Sequence, residues 1–140
     1  MADNNSLIES LKENVKKFFA AINFTYSDSD DWMLMFCIEK TINTIKSECN
    51  TSSIPEGLMQ VAVQMIVGEF LYNKKNSGQT EGFKDLDFSV AVKSIQEGDT
   101  NISFAVGEGS LTPEQMINNL INYLLTSGKS QFVSYRKIKW

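Results

Sequence analysis

Hydrophobic positions recur with a helical period in four stretches of this chain and alternate one by one in a fifth. The longest helical stretch, 53–75, is the element around which the others are expected to pack. At about 100° per residue, Glu56, Gln60, Gln64 and Gly68 form one narrow polar stripe. Leu58, Met59, Val61, Ala62, Val63, Met65, Ile66 and Phe70 fill the remaining arc. So wide an apolar surface needs cover from other helices on at least two sides. Ser53 with Glu56 has the spacing of a capping box, and Pro55 sits where a missing N–H costs nothing. At roughly 33 Å the helix would run the length of a small domain.

The other stretches frame it. Ser6 and Glu9 repeat the capping-box spacing, and Leu7, Ile8, Leu11, Val15, Phe18, Phe19 and Ile22 predict an amphipathic helix over 6–21. A second helix, 29–48, carries Trp32, Leu34, Met35, Phe36, Ile38, Ile42 and Ile45, read here as core. Ahead of it, Asp28, Asp30 and Asp31 read either as a cation site or as a cap and partners for the helix's positive pole; the second is the expectation. Asn50 suits a left-handed cap at its end, and the short link to 53 predicts that helices two and three are antiparallel neighbours. Thr112-Pro113-Glu114-Gln115 opens a fourth helix over 113–126, with Met116, Ile117, Leu120, Ile121, Leu124 and Leu125 on one face.

Between helices three and four the pattern changes. Asn76 to Gly82 has the composition of a loop. From Phe88 the period becomes two: Phe88, Val90 and Val92, then Ile102, Phe104 and Val106, separated by the turn Glu97-Gly98-Asp99-Thr100. That predicts a β-hairpin over 88–106, which is marginal alone and must lie on the helices or on another copy of the chain. The fold class expected is mainly α: a small four-helix bundle with an inserted β-hairpin and an extended C-terminal tail, one domain over 1–140.

Composition narrows the chemistry. The 140 residues include no histidine, which removes Ser-His-Asp and Cys-His catalysis. Cys37 and Cys49, the two cysteines, fall in one predicted helix about 18 Å apart and cannot bridge each other. A zinc site would need both thiols plus carboxylates, and packed thiols are the expectation. Gly107-Glu108-Gly109 has a superficial likeness to a phosphate loop but lacks its lysine and its strand-to-helix setting. No catalytic, cofactor-binding or metal residue is assigned, and the chain is not expected to be an enzyme. No apolar run reaches the roughly 18 residues of a membrane span, and the first residues lack the order of a signal peptide, so a soluble cytoplasmic protein is expected.

Net charge is −4, unevenly spread. All seventeen acidic residues precede position 115, while Lys129, Arg136, Lys137 and Lys139 give the last twelve residues a charge of +4 and leave −8 upstream. In the tail 129–140 these cations interleave with Phe132, Val133, Tyr135, Ile138 and Trp140. Three readings fit: stacking on single-stranded nucleic acid, docking into an apolar, acidic groove of a partner, or folding back on the chain's own acidic body.

The chain carries, in order, Val15-Lys16-Lys17-Phe18-Phe19 and Asp31, Cys49-Asn50 followed by Ile54-Pro55, Ser94-Ile95 with Glu97-Gly98-Asp99 and Phe104, and Tyr135-Arg136-Lys137 with Trp140. Together with the order of the elements, these short motifs resemble the head-tail connector, or adaptor, proteins of tailed bacteriophages and their prophage relatives. The resemblance covers roughly 10–140, and none of its motifs carries chemistry. It implies a virion protein at the head-tail junction, assembled in the host cytoplasm as a homo-oligomeric ring, commonly of twelve copies, beneath the portal. The ring extends the DNA channel, lets DNA pass without specific binding, and meets a tail-completion or tail-terminator protein. Phe132, Tyr135, Arg136, Lys137 and Trp140 are then expected to bind the portal, and Ile95, Ile102 and Phe104 to lie between subunits. The rival expectation is a small regulatory or nucleic-acid-binding protein that uses the basic aromatic tail.

Overall fold

A computed structural model describes residues 2–79, 81–83, 113–126 and 128–135. They form four principal helices, α1 (Ala2–Ala21), α2 (Asp31–Cys49), α3 (Met59–Asn76) and α4 (Pro113–Thr126), followed by a single helical turn, α5 (Phe132–Tyr135). The architecture is mainly helical, with no strand among the described residues. The expected hairpin 88–106, with Ile95, Ile102 and Phe104, lies outside the described residues.

Helix α3 is central, packed against α1, α2 and α4. Val61, Ala62, Met65, Ile66, Val67, Phe70 and Leu71 are all buried in the one core these helices share. Helices α2 and α4 run antiparallel to it. On α2, Lys40 pairs with Glu69 at 3.2 Å, Cys37 accepts from Asn73 at 3.6 Å, and Asp30, just ahead of the helix, meets Lys74. On α4, Asn118 accepts a hydrogen bond from Lys75 while Leu124 and Leu125 cross over Gly68. A Cβ at Gly68 would stand 2.9 Å from that of Leu124, so this residue of the predicted polar stripe is the close-approach point of two helices. The stripe is therefore shorter than the sequence pattern implied: Gln60 stays exposed, Gln64 is half-buried and Gly68 is covered.

Aromatic rings fill the end of the bundle where α1 turns into α2. Phe70 lies 5.0 Å from Phe19, 5.9 Å from Phe24 and 5.8 Å from Tyr26, and Phe24 in turn meets Phe83 at 5.3 Å. Asn23, at φ 64°, ends α1 in the left-handed region, and Asn50, at φ 54°, does so for α2, where its N–H reaches the carbonyls of Lys46 and Ser47. Asparagine tolerates that conformation, and Asn50 caps α2 as its position suggested.

Three expected starts are corrected. Helix α1 begins at Ala2, so Ser6 lies inside it and is not its cap. Helix α3 begins at Met59 after a 3-10 turn, Glu56–Leu58, and the Ser53–Glu56 box does not form. The cause is Pro55: it disfavours helical backbone at Ile54 and itself stays extended at ψ 139°, and the turn closes behind it from the Leu58 N–H to the Pro55 carbonyl. The third is α2, which follows a 3-10 turn, Asp28–Asp30. There Ser27 is the cap, its N–H and its hydroxyl donating to Asp30 Oδ2 at 3.3 and 3.1 Å.

The C-terminal segment is not extended where it is described. A 3-10 turn, Lys129–Gln131, leads directly into α5, which packs against α2.

Candidate functional site

The acidic cluster ahead of α2 serves the fold. Asp30, buried, holds the Lys74 ammonium at 2.7 Å, and the same nitrogen donates to Gln79 Oε1 at 2.7 Å. This pair ties the start of α2 to the end of α3. Asp31 accepts from the Tyr26 hydroxyl and faces Lys12 and Lys16 at 3.9 and 4.0 Å. The Tyr26 bond is the main reason that its carboxyl sits below the usual range; the lysines add to the effect and desolvation opposes it. Tyr26 moves the other way, its phenol pushed well up by burial and by the neighbouring acidic groups.

Both thiols lie in α2, buried and unbridged, as their spacing required. Burial pushes Cys37 up to about 11, far from the thiolate a nucleophile or metal ligand needs. Among the described residues no three acidic or cysteine side chains gather as metal ligands, and no helix is long and apolar enough to cross a membrane.

Two apolar surface features occupy opposite ends of the bundle. At the end of α3's first turns lies the C-terminal segment. Phe132 is buried, and its carbonyl accepts from the Cys49 thiol at 3.8 Å. Gly128 lies under Val61 so closely that a Cβ there would collide with it, which keys the exit from α4 onto α3. Tyr135 lays its ring and hydroxyl over Gly57, again where no Cβ fits. Val133, between them, faces outward with 68% of its surface exposed.

Of the five expected partner-binding residues, Phe132 thus anchors the segment to its own body, Tyr135 is packed yet partly exposed, and Arg136, Lys137 and Trp140 lie outside the described residues. The glycine at 57 is the overlooked signal. Gly57→Ala is expected to cost about 1 kcal/mol, the low end for overpacking because Tyr135 can swing away. Chemical denaturation checks it, and adding Tyr135→Ala should remove the strain.

The other surface was misread as core. Trp32 is 71% exposed and Phe36 56%. Both stand about 200° around α2 from the buried Leu34 and Ile38 two positions on, so they occupy the helix's outer face. With Met33, Asn73, Asn76 and Ser77 they line an open groove of about 410 Å³ between the start of α2 and the end of α3. They form an apolar strip rimmed by polar groups.

No protein-family model, curated protein or solved structure matches this chain. What it does must be argued from these surfaces.

Proposed function

We propose that the chain is a structural neck protein of a tailed phage or prophage, forming a homo-oligomeric ring that joins the portal to the tail and extends the DNA channel. The observation that carries this reading is the anchored C-terminal segment. Phe132 in the core and Tyr135 on Gly57 fix the point at which the basic, aromatic residues 136–140 begin. A docking peptide with a fixed root loses less freedom on binding than a loose one, so its few anchors yield more affinity. Trp140 and Arg136 are the residue types enriched among such anchors, and Arg136 offers a bidentate fork to a portal carboxylate.

The remaining features are compatible. An acidic body repels DNA that must slide past it. The second apolar surface, on α2, suits a subunit with neighbours in a ring.

The test is a chain ending at Tyr135. Cutting earlier would remove the buried Phe132 ring and confuse folding with binding. Loss of residues 136–140 is expected to leave the unfolding free energy within about 0.5 kcal/mol of the full chain, the usual range for surface changes, and to abolish association with a phage portal protein. Portal association that survives the cut overturns the docking role. DNA retention that disappears with the cut, and weakens steeply with salt in the full chain, would favour the regulatory, nucleic-acid-binding alternative.

A further inference from the structure

We infer that residues 128–135 form a strap that opens and closes as one unit while the four long helices stay folded, and that capture of the tail by its partner selects the closed strap. The first half stands on the bundle alone; the second rests on the docking reading above.

The strap is held by its contacts with the body and by little else. It consists of the 3-10 turn Lys129–Gln131 and the single turn α5, and pieces that short do not persist in water on their own hydrogen bonds. Among its described side chains Phe132 is the buried one, whereas Lys129, Ser130, Gln131 and Val133 are exposed. Helix α3, by contrast, buries nine of its residues. A segment opens locally at a free energy set by its own buried contacts, so the strap belongs at the low end of the scale and α3 at the high end.

The arrangement of those contacts makes the strap move as a unit. Gly128 lies under Val61, the Phe132 carbonyl accepts from the Cys49 thiol, and Tyr135 lies over Gly57. The strap thus spans the end of α2, the turn ahead of α3 and the first turn of α3. Phe132 and Tyr135 are three positions apart on one helical turn and share a side of it. Withdrawing the Phe132 ring therefore lifts Tyr135 off Gly57, and unseating Tyr135 pulls on Phe132.

Closure matters to the tail because Arg136 follows Tyr135 directly. When the strap is closed the tail starts from a fixed place; when it is open, a partner must first close it. Apparent affinity falls by the fraction of chains that are closed, and by linkage a bound partner holds the strap shut. A change at Gly57 or Phe132 thus weakens capture of a tail whose own residues 136–140 are untouched.

Amide hydrogen exchange, followed residue by residue in the full chain, tests the first half. The N–H groups of Gln131 and Phe132, bonded to the carbonyls of Gly128 and Lys129, are expected to share one protection factor, roughly a hundredfold or more below that of the α3 amides from Val67 to Leu71. Phe132→Leu, inside the strap, and Gly57→Leu, which pushes Tyr135 away from outside it, should each lower both strap values roughly tenfold and leave the α3 values unchanged. Strap amides as well protected as those of α3 overturn the inference, because the segment then opens only with the whole bundle. A pair of variants that lower α3 and strap protection alike overturns it for the same reason. Protection of Phe132 that ignores Gly57→Leu shows that the segment does not move as a unit.

The second half uses a phage portal protein as the probe. Gly57→Leu is expected to bind it roughly tenfold more weakly than the parent, as a strap mostly open requires, and binding to the parent should raise the protection of Gln131 and Phe132. Unchanged affinity in the variant, or unchanged protection on binding, overturns the coupling. A parent chain that does not bind the portal protein removes the docking reading and the coupling with it, while exchange in the free chain still decides whether the strap exists.

Discussion

Phe70→Ala is expected to lower the unfolding free energy by about 3–5 kcal/mol, the range for truncating a buried phenylalanine. Phe70 has no exposed surface and touches three other aromatic rings, on α1 and in the link to α2. Those rings cannot follow it inward without breaking their contacts with one another, since Phe19 also meets Phe24 at 5.0 Å and Tyr26 at 5.7 Å. The cavity therefore stays open and the upper part of the range applies. Urea denaturation of the parent and the variant, with an unchanged slope, measures it. A loss below about 1 kcal/mol would mean that α3 is not the centre of the core.

The second large effect concerns the buried ion pair. Lys74→Met leaves the Asp30 carboxylate, its side chain only 8% exposed, without its cation, and the expected loss is about 3–5 kcal/mol. Part of the charge's demand is already met, because the Ser27 N–H and hydroxyl still donate to it, so the lower half of the range is the better expectation. The pair itself need not stabilise the fold: replacing Asp30 with leucine as well should recover most of the loss, as apolar substitutes for buried pairs commonly do. A double-mutant cycle over Asp30 and Lys74 by denaturation gives the coupling directly. Two single losses that simply add would show that the groups do not feel one another.

Much of the fold was legible because long helices announce themselves by period. The four helical stretches and the broad arc of α3 follow from spacing alone, and the antiparallel pairing of α2 with α3 follows from a link too short for anything else. Starts were less legible. Capping-box spacing at Ser6 and Ser53 is a local pattern: at the first the helix runs on past it to Ala2, and at the second it lost to a proline that holds its own backbone extended.

The surfaces were harder still. Trp32 and Phe36 share a helix with true core residues, and hydrophobicity does not tell which of two apolar faces is turned outward; only the position of α3 decides that. Phe132 failed in the opposite direction. Its place among tail cations suggested a free anchor, while its burial depends on a gap near Cys49 that is eighty-three positions away in sequence. Gly57 carried a readable clue, since a glycine two residues after a proline invites a close neighbour, but nothing in the sequence said that the neighbour would be Tyr135.

The chemistry of the two thiols has a practical side. Cys37 and Cys49 have no exposed surface, and Cys37 stays protonated through the neutral range. Alkylating reagents at neutral pH will therefore pass over the folded chain. A single cysteine introduced at an outward position such as Val133 becomes the sole reactive handle, with no need to remove the native pair and disturb α2. Fluorescent reporters of the C-terminal segment can thus be attached to the chain as it stands, and any slow appearance of further label would time the opening of the bundle itself.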